Sequence, residues 1–366
     1  MSGPPDRRLV MVYGATGFTG RLVVDEARRR GVELVLGGRN PAALRELADA
    51  LGGAEVRSAD AARPETLAGL LDGIGAVINC AGPFTRFGEP VLRAAIDAGA
   101  HYLDTTGEQL WMARMIDVLS ADAEAHAVTA VLAHAFEYAI GDCCARIAVE
   151  ETPGAETLEV FNRVAGFGTS RGTKKSALDV LGKPSLAVVN GRRCEEPPLA
   201  HRARVRFPDE DEDCVALSFP GGEVLSAPSF APSVRAVRTY LVLPPAAALA
   251  MPLLARAGAA LLRGRIRGLV ERRIDASGVG PGDERRDQPW WVQARVRAPG
   301  GRGVRITASG YDSYGTTAVI AALGARWLLG GRAKRTGVLT TAQAFDPRAF
   351  LDALADAGVA WRSDPL

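Results

Sequence analysis

Gly14, Gly17 and Gly20 recur at intervals of three in the stretch MVYGATGFTG, directly after an apolar run. Glycine has the most backbone freedom to lose on ordering, so three at fixed spacing mark a place where something comes close to the main chain. Phosphate chemistry suits them. A loop between a strand and a helix offers backbone amides and the positive helix end to an anion. Gly14 then permits the tight turn, Gly17 admits a pyrophosphate to the backbone, and Gly20 lets the helix lie close on the strand. Ala15, Thr16, Phe18 and Thr19 complete the cradle. The spacing is G-x-x-G-x-x-G rather than G-x-G-x-x-G, so the strand–loop–helix context carries the assignment.

A second strand-like run ends in GGRN, with no carboxylate at that end. Sites for NAD usually place an acidic residue there for the ribose 2′-hydroxyl. Arg39 stands there instead, and a guanidinium can pair with a 2′-phosphate through two hydrogen bonds and stack on adenine. NADP(H) is therefore expected over NAD. Asp60 ends the third strand-like run; it either contacts adenine or caps a helix beginning near Pro64. In NCAGPF, Ala81 and Gly82 let the nicotinamide ribose pass over the sheet edge, and Pro83 fixes the turn. Cys80 reads as a small residue pressed near the cofactor, not as a nucleophile. Hydride transfer must be matched by a proton. Tyr102, Tyr138 and Tyr311 are candidate donors, with His134 and Asp142 as relay groups. Tyr138 is preferred because it follows the sixth strand-like run. Each also has an ordinary buried, structural reading. No Ser-His-Asp order or paired-carboxylate motif points to a hydrolase.

The elements that must hold these residues alternate. Strand-like runs are Arg7–Tyr13, ELVLGG, AEVRSAD, GAVINCAG, HYLDTTG and AVTAVLAH. Between them the periodicity predicts helices over Phe18–Arg30, NPAALRELADALGG, RPETLAGLLDG, Glu89–Ala98 and Gln109–Ala125. Asn40 can cap the second helix, Pro41 suits its first turn, and Gly52-Gly53 stops it. Apolar strands alternating with amphipathic helices imply a parallel sheet covered on both faces, with ligands at the strands' carboxyl ends. From about Thr157 to Val296 short runs such as TLEVFNRVA, CVALSFPGG, VRAVRTYLVL and WWVQARVRA predict an antiparallel sheet. SRGTKKS (Ser170–Ser176) reads as a loop over the cofactor, an anchor for an acidic substrate, or a capped helix start running to Leu181. Leu243–Arg273 is the most apolar stretch. Pro252 and Arg256 interrupt it, so no membrane span is expected; a buried, cleft-lining or interfacial helix is. ASGVGPGDERRDQP reads as a polar loop.

The 366 residues suggest two domains, and 47% hydrophobic residues suffice for large cores. A net charge of +2 points to no nucleic-acid partner. Five cysteines and four histidines fall in no disulfide or metal-ligand spacing, so no metal is expected. The start MSGPPDRRLV lacks an apolar signal core, and a cytoplasmic protein is expected.

GATGFTG, INCAGPF, YLDTTGE and SRGTKKS, with YDSYGTTAVIAALGARWLL and GVLTTAQAFDPRAFLDAL, resemble the saccharopine dehydrogenase-like oxidoreductases, in the branch called trans-acting enoyl reductases. The resemblance implies a Rossmann domain with a parallel sheet over 1–135 and an α+β domain with a mainly antiparallel sheet over 136–320. Carboxyl-terminal helices over 321–366 would pack back on the first domain. It implies NADP(H), hydride transfer and a small-molecule or carrier-bound hydrophobic substrate, with a homodimer left open. By position, Gly14, Thr16, Gly17, Phe18 and Thr19 would hold the pyrophosphate, Arg39 the 2′-phosphate, and Ala81, Gly82 and Pro83 the nicotinamide side. One run departs from the family. HAFEYAIGD (His134–Asp142) replaces a GFDSIPSDLG-like run: the proline is missing, the first glycine is Ala135 and the aspartate position is Glu137, while Asp142 aligns. The expected activity is NADPH-dependent reduction of a C=C bond. Imine or carbonyl reduction, and a non-catalytic NADP-binding partner, are the alternatives.

Overall fold

The computed structural model describes residues 8–165, 170–171, 174–175, 178, 183–208, 210–261, 265–276 and 280–366. Two sheets organise it. The first has seven strands, all parallel, in the order β15-β6-β5-β4-β1-β2-β3. Its strands are β1 (Leu9–Tyr13), β2 (Leu34–Gly38), β3 (Glu55–Ser58), β4 (Ile74–Asn79), β5 (His101–Asp104), β6 (Thr129–Val131) and β15 (Gly337–Leu339). β1 lies between β2 and β4, with Val12 opposite Leu36 on one side and Ile78 on the other. The strand order reverses there, which leaves a crevice at the carboxyl ends of β1 and β4.

The intervening helices are α1 (Phe18–Arg29), α2 (Pro41–Ala50), α3 (Phe84–Asp97), α4 (Gln109–Ala125) and α5 (Phe136–Glu151). Asn40 caps α2 as expected, its Oδ1 accepting from Ala42 N and Ala43 N. Two expectations need correction. RPETLAGLLDG forms only a 3-10 turn over Pro64–Leu67, because Gly69 sits at φ +70° and ends the helical path. α3 begins at Phe84, not Glu89, and carries Pro90 within its second turn.

The second sheet has nine strands: β7 (Thr157–Val164), β8 (Ser185–Val189), β9 (Arg192–Glu196), β10 (Arg202–Val205), β11 (Cys214–Ser218), β12 (Ala236–Val242), β13 (Pro289–Arg297), β14 (Gly303–Tyr311) and β16 (Ala360–Pro365). Its order is β10-β11-β12-β7-β13-β14-β16, with β8 pairing β12 and β9. Pairing is antiparallel except between β12 and β7. Helices α6 (Glu223–Phe230), α7 (Pro245–Leu261) and α8 (Arg265–Asp275) leave this sheet. α9 (Ser313–Leu329), α10 (Thr341–Ala344) and α11 (Pro347–Asp352) follow β14. The carboxyl-terminal stretch supplies strands as well as helices: β15 extends the first sheet and β16 the second.

One core runs through both sheets. Helix α5 is buried on nearly every side and packs on β7, β13 and β14 of the second sheet, while α9 covers β4 and β5 of the first. Phe136 meets Trp290 edge-on, with ring centroids 4.7 Å apart. Burying such large apolar groups is the main source of stability, at roughly 25 cal/mol per Å² of apolar surface. Among the described residues no helix is long and apolar enough to cross a membrane.

Candidate active site

At the end of β1 the chain turns on Gly14, whose φ of +85° is easy only for glycine. Gly14 N and Ala15 N donate to Gly37 O at 2.9 and 3.2 Å, which ties the turn to β2. A Cβ on Gly14 would stand 3.0 Å from Ala81 N. One on Gly20 would collide with the Gly14 carbonyl. The expected roles of these two glycines are therefore visible as backbone packed on backbone. Gly17 is the N-cap of α1, and no side chain caps that helix. The first-turn amides, those of Phe18 and Thr19 among them, face outward with the positive helix end, the arrangement that binds phosphate. Arg39 is exposed directly after β2 and makes no hydrogen bond or ion pair among the described residues. Asp60 instead closes a local turn, its Oδ1 accepting from Ala62 N at 3.1 Å, with Arg63 3.6 Å away.

The nicotinamide side is formed by the ends of β4 and β5. Asn79 is fully buried and accepts from Ala81 N at 2.9 Å, holding the Cys80–Pro83 turn. Cys80 is half-buried, and burial pushes its thiol up to about 12, which suits a packing role. Asp104 accepts from Thr106 N and Ala133 N through Oδ1, while Oδ2 has no hydrogen-bond partner among the described residues. Burial raises its carboxyl to about 7. Glu108, at the end of YLDTTGE, accepts from Phe84 N and Thr85 N at 2.9 and 2.7 Å, and so caps α3 with a carboxylate.

Tyr138, His134 and Asp142 lie on the same stretch of chain but form no hydrogen-bonded relay among the described residues. The Tyr138 hydroxyl lies 3.0 Å from both Gly107 O and Pro220 O, and burial keeps it well above the usual phenol range. His134 faces away, its Nδ1 2.9 Å from Thr341 Oγ1 and its ring against Phe345 and Phe350. Burial lowers it to about 3, so it stays neutral. Asp142 binds the Ser226 hydroxyl and accepts from Ala342 N at 2.7 Å, joining α6 to the start of α10. His134 is thus held by Thr341, and Asp142 by Ser226 and Ala342. Of the other candidate donors, Tyr102 is buried beneath Asn79 and Tyr311 is exposed at the end of β14.

Several residues at this site carried no signal in the sequence. Gln109, buried at the start of α4, donates to Gly221 O at 2.7 Å and accepts from Leu186 N at 2.6 Å. With Tyr138 it stitches the Gly107–Gln109 loop to the second sheet's Pro220–Gly221 turn. Glu223 is buried beside it, and burial raises its carboxyl to about 8. Gly221 makes its room: a Cβ there would lie 2.7 Å from the Glu223 carboxyl. Over the glycine loop, Phe18 meets Tyr314 edge-on at 5.1 Å, and Ser170 N donates to Tyr314 Oη at 2.8 Å. A Cβ on Gly280 would strike the Phe18 ring. Ser170, which opens SRGTKKS, therefore lies beside the glycine loop; Gly172, Thr173 and Ser176 lie outside the described residues.

Residues 10–131 match the saccharopine dehydrogenase NADP binding domain. That stretch, which holds β1 to β6, is similar to saccharopine dehydrogenase-type NADP-binding domains. Its cofactor is NADP(H), in keeping with Arg39 at the end of β2. A Mycobacterium tuberculosis relative, named provisionally as a trans-acting enoyl reductase, is 30% identical over 220 residues, 57% of this chain and 52% of the relative. A trans-acting enoyl reductase of Mycobacterium ulcerans is 34% identical over 134 residues, 35% of this chain and 32% of its own length. The chain thus spans about half the length, or less, of these curated relatives. Apo saccharopine dehydrogenase (L-Glu forming) from Saccharomyces cerevisiae superposes with a TM-score of 0.66 at 14% identity, over 98% of this chain and 100% of that one. The two share a fold.

Arg39→Ala is expected to weaken NADPH binding by about 10- to 100-fold, the worth of a charged hydrogen-bonded pair, and to leave NADH binding nearly unchanged. Parallel calorimetric titrations check this. Glu223 has a second consequence. Its folded-state carboxyl titrates near 8, so the native protein holds a proton that the unfolded chain has released. Stability is therefore lost as pH rises through that window. Glu223→Gln removes the loss, and its melting temperature should exceed that of the unaltered protein by a margin that grows from about pH 5 to about pH 9.

Proposed function

We propose that the protein is an NADPH-dependent reductase of a C=C bond in a hydrophobic, enoyl- or enone-type intermediate. One observation carries the reading: an uncapped glycine-loop helix beside an unengaged Arg39, at the end of a strand that offers no carboxylate. That arrangement suits the phosphorylated coenzyme. Similarity to proteins named trans-acting enoyl reductases supports the choice of bond.

Bound NADPH would supply a hydride at its nicotinamide carbon. The chain's own residues do the remaining work. The α1 amides and Arg39 hold the phosphates, and Ala81, Gly82 and Pro83 form the small-residue edge beside the nicotinamide. Asn79 fixes that edge from below through Ala81 N. The Tyr138 hydroxyl already serves two backbone carbonyls, so we assign it a positioning role, holding Gly107 and Pro220 at the mouth of the site. With Tyr138 assigned to positioning, the proton that balances the hydride would come from solvent water.

Nicotinamide absorbance with matched panels of enoyl thioesters, enones, imines and ketones tests the assignment. Coenzyme oxidation with the C=C panel supports it, and turnover of imines alone overturns it. For Tyr138→Phe, kcat should stay within about tenfold while the melting temperature falls. A loss of about a thousandfold at unchanged melting temperature would make Tyr138 the proton donor instead.

A further inference from the structure

Large apolar side chains are seldom left exposed in a group, and such groups mark interaction surfaces. Among the described residues, three of the six most exposed large apolar side chains lie on two consecutive helices: Leu249 (71%) on α7, and Ile266 (50%) and Leu269 (64%) on α8. α7 turns Ala248 and Ala255 onto Leu217 and Leu243, which leaves Leu249 on its outer side. On α8, Ile266, Leu269 and Arg273 are spaced i, i+3 and i+7 and share a face, with Arg272 beside them. Arg272 and Arg273 are exposed.

Charge is sorted across α8 as well. Between Arg265 and Arg273 the sequence contains one carboxylate, Glu271. It is turned inward, accepting from Arg86 of α3 at 2.8 Å and from Arg267 at 3.1 Å. Among the described side chains of α8, those on the outer face are Ile266, Leu269, Arg272 and Arg273. A protein partner of ordinary composition gives no reason for that pairing; an anionic lipid surface does. Acyl chains accept Leu and Ile at the headgroup boundary, and the arginines reach the phosphates.

We propose that the outer face of α8 lies on an anionic lipid surface as an interfacial attachment that does not span it. The attachment stands independently of the reductase reading, because none of its side chains belongs to the nucleotide site.

Co-sedimentation of the full chain with vesicles tests this. One set is pure phosphatidylcholine, and the other an equal mixture with phosphatidylserine. The protein should pellet with the mixed vesicles and be released by salt. Arg272→Ser with Arg273→Ser should weaken that binding about 30-fold, and Ile266→Ser with Leu269→Ser about a hundredfold. Both variants should keep the unaltered melting temperature and NADPH affinity. Protein that stays in the supernatant with both vesicle types overturns the proposal, as do variants that bind like the parent. Self-association abolished by Ile266→Ser with Leu269→Ser, without vesicle binding, would assign the face to a second copy of the chain.

Discussion

Everything at the candidate active site depends on one close approach of backbone to backbone. The Gly14 turn lies against the Cys80–Ala81 peptide on one side and beneath the first turn of α1 on the other. Neither contact leaves space for a Cβ. Because the main chain itself fills this junction, the end of β1, the end of β4 and the N-terminus of α1 are locked into one rigid corner. A diphosphate needs that rigidity: its oxygens are met by amides whose directions are set before it arrives, so little ordering entropy is lost on binding. Asn79 and the Tyr13 hydroxyl extend the corner, the first to the Ala81 amide and the second to Ala59 O and Ala61 N at 3.0 Å each.

The second sheet is fastened to this corner at two points. Gln109 and Tyr138 hold it near the ends of β4 and β5, through backbone carbonyls on both sides. Phe18 and Tyr314 hold it over the glycine loop, where Gly280 lets the chain cross the Phe18 ring. The nicotinamide end and the diphosphate of an extended dinucleotide would therefore lie beside material that follows the first sheet. Buried carboxyls at this junction, Asp104 and Glu223, are shifted upward by burial, and the negative charge they would otherwise place there is reduced.

The legible parts of the sequence were those governed by local rules. The glycine spacing, the cap at Asn40 and the missing carboxylate beside Arg39 act within a few residues, and each reads directly from the chain. The parallel sheet followed from the alternation of apolar runs with helices. What escaped was set by distant partners. RPETLAGLLDG has a helical pattern, yet Leu67, Leu70 and Leu71 are buried by a chain that breaks at Gly69. His134 and Asp142 suggested a relay beside Tyr138, but their partners, Thr341 and Ala342, lie some two hundred positions away. Gln109 and Glu223 look like ordinary polar residues at helix starts, and only the second sheet shows why they are buried. β15 is three residues long and joins the first sheet from near the end of the chain, an addition no local pattern announces.

The most direct test of the nucleotide corner is a crystal structure with NADP+ bound. The account predicts the diphosphate against the Phe18 and Thr19 amides, within hydrogen-bond distance, and the 2′-phosphate engaged by Arg39. Coenzyme density elsewhere, or a diphosphate lying away from the start of α1, would contradict it.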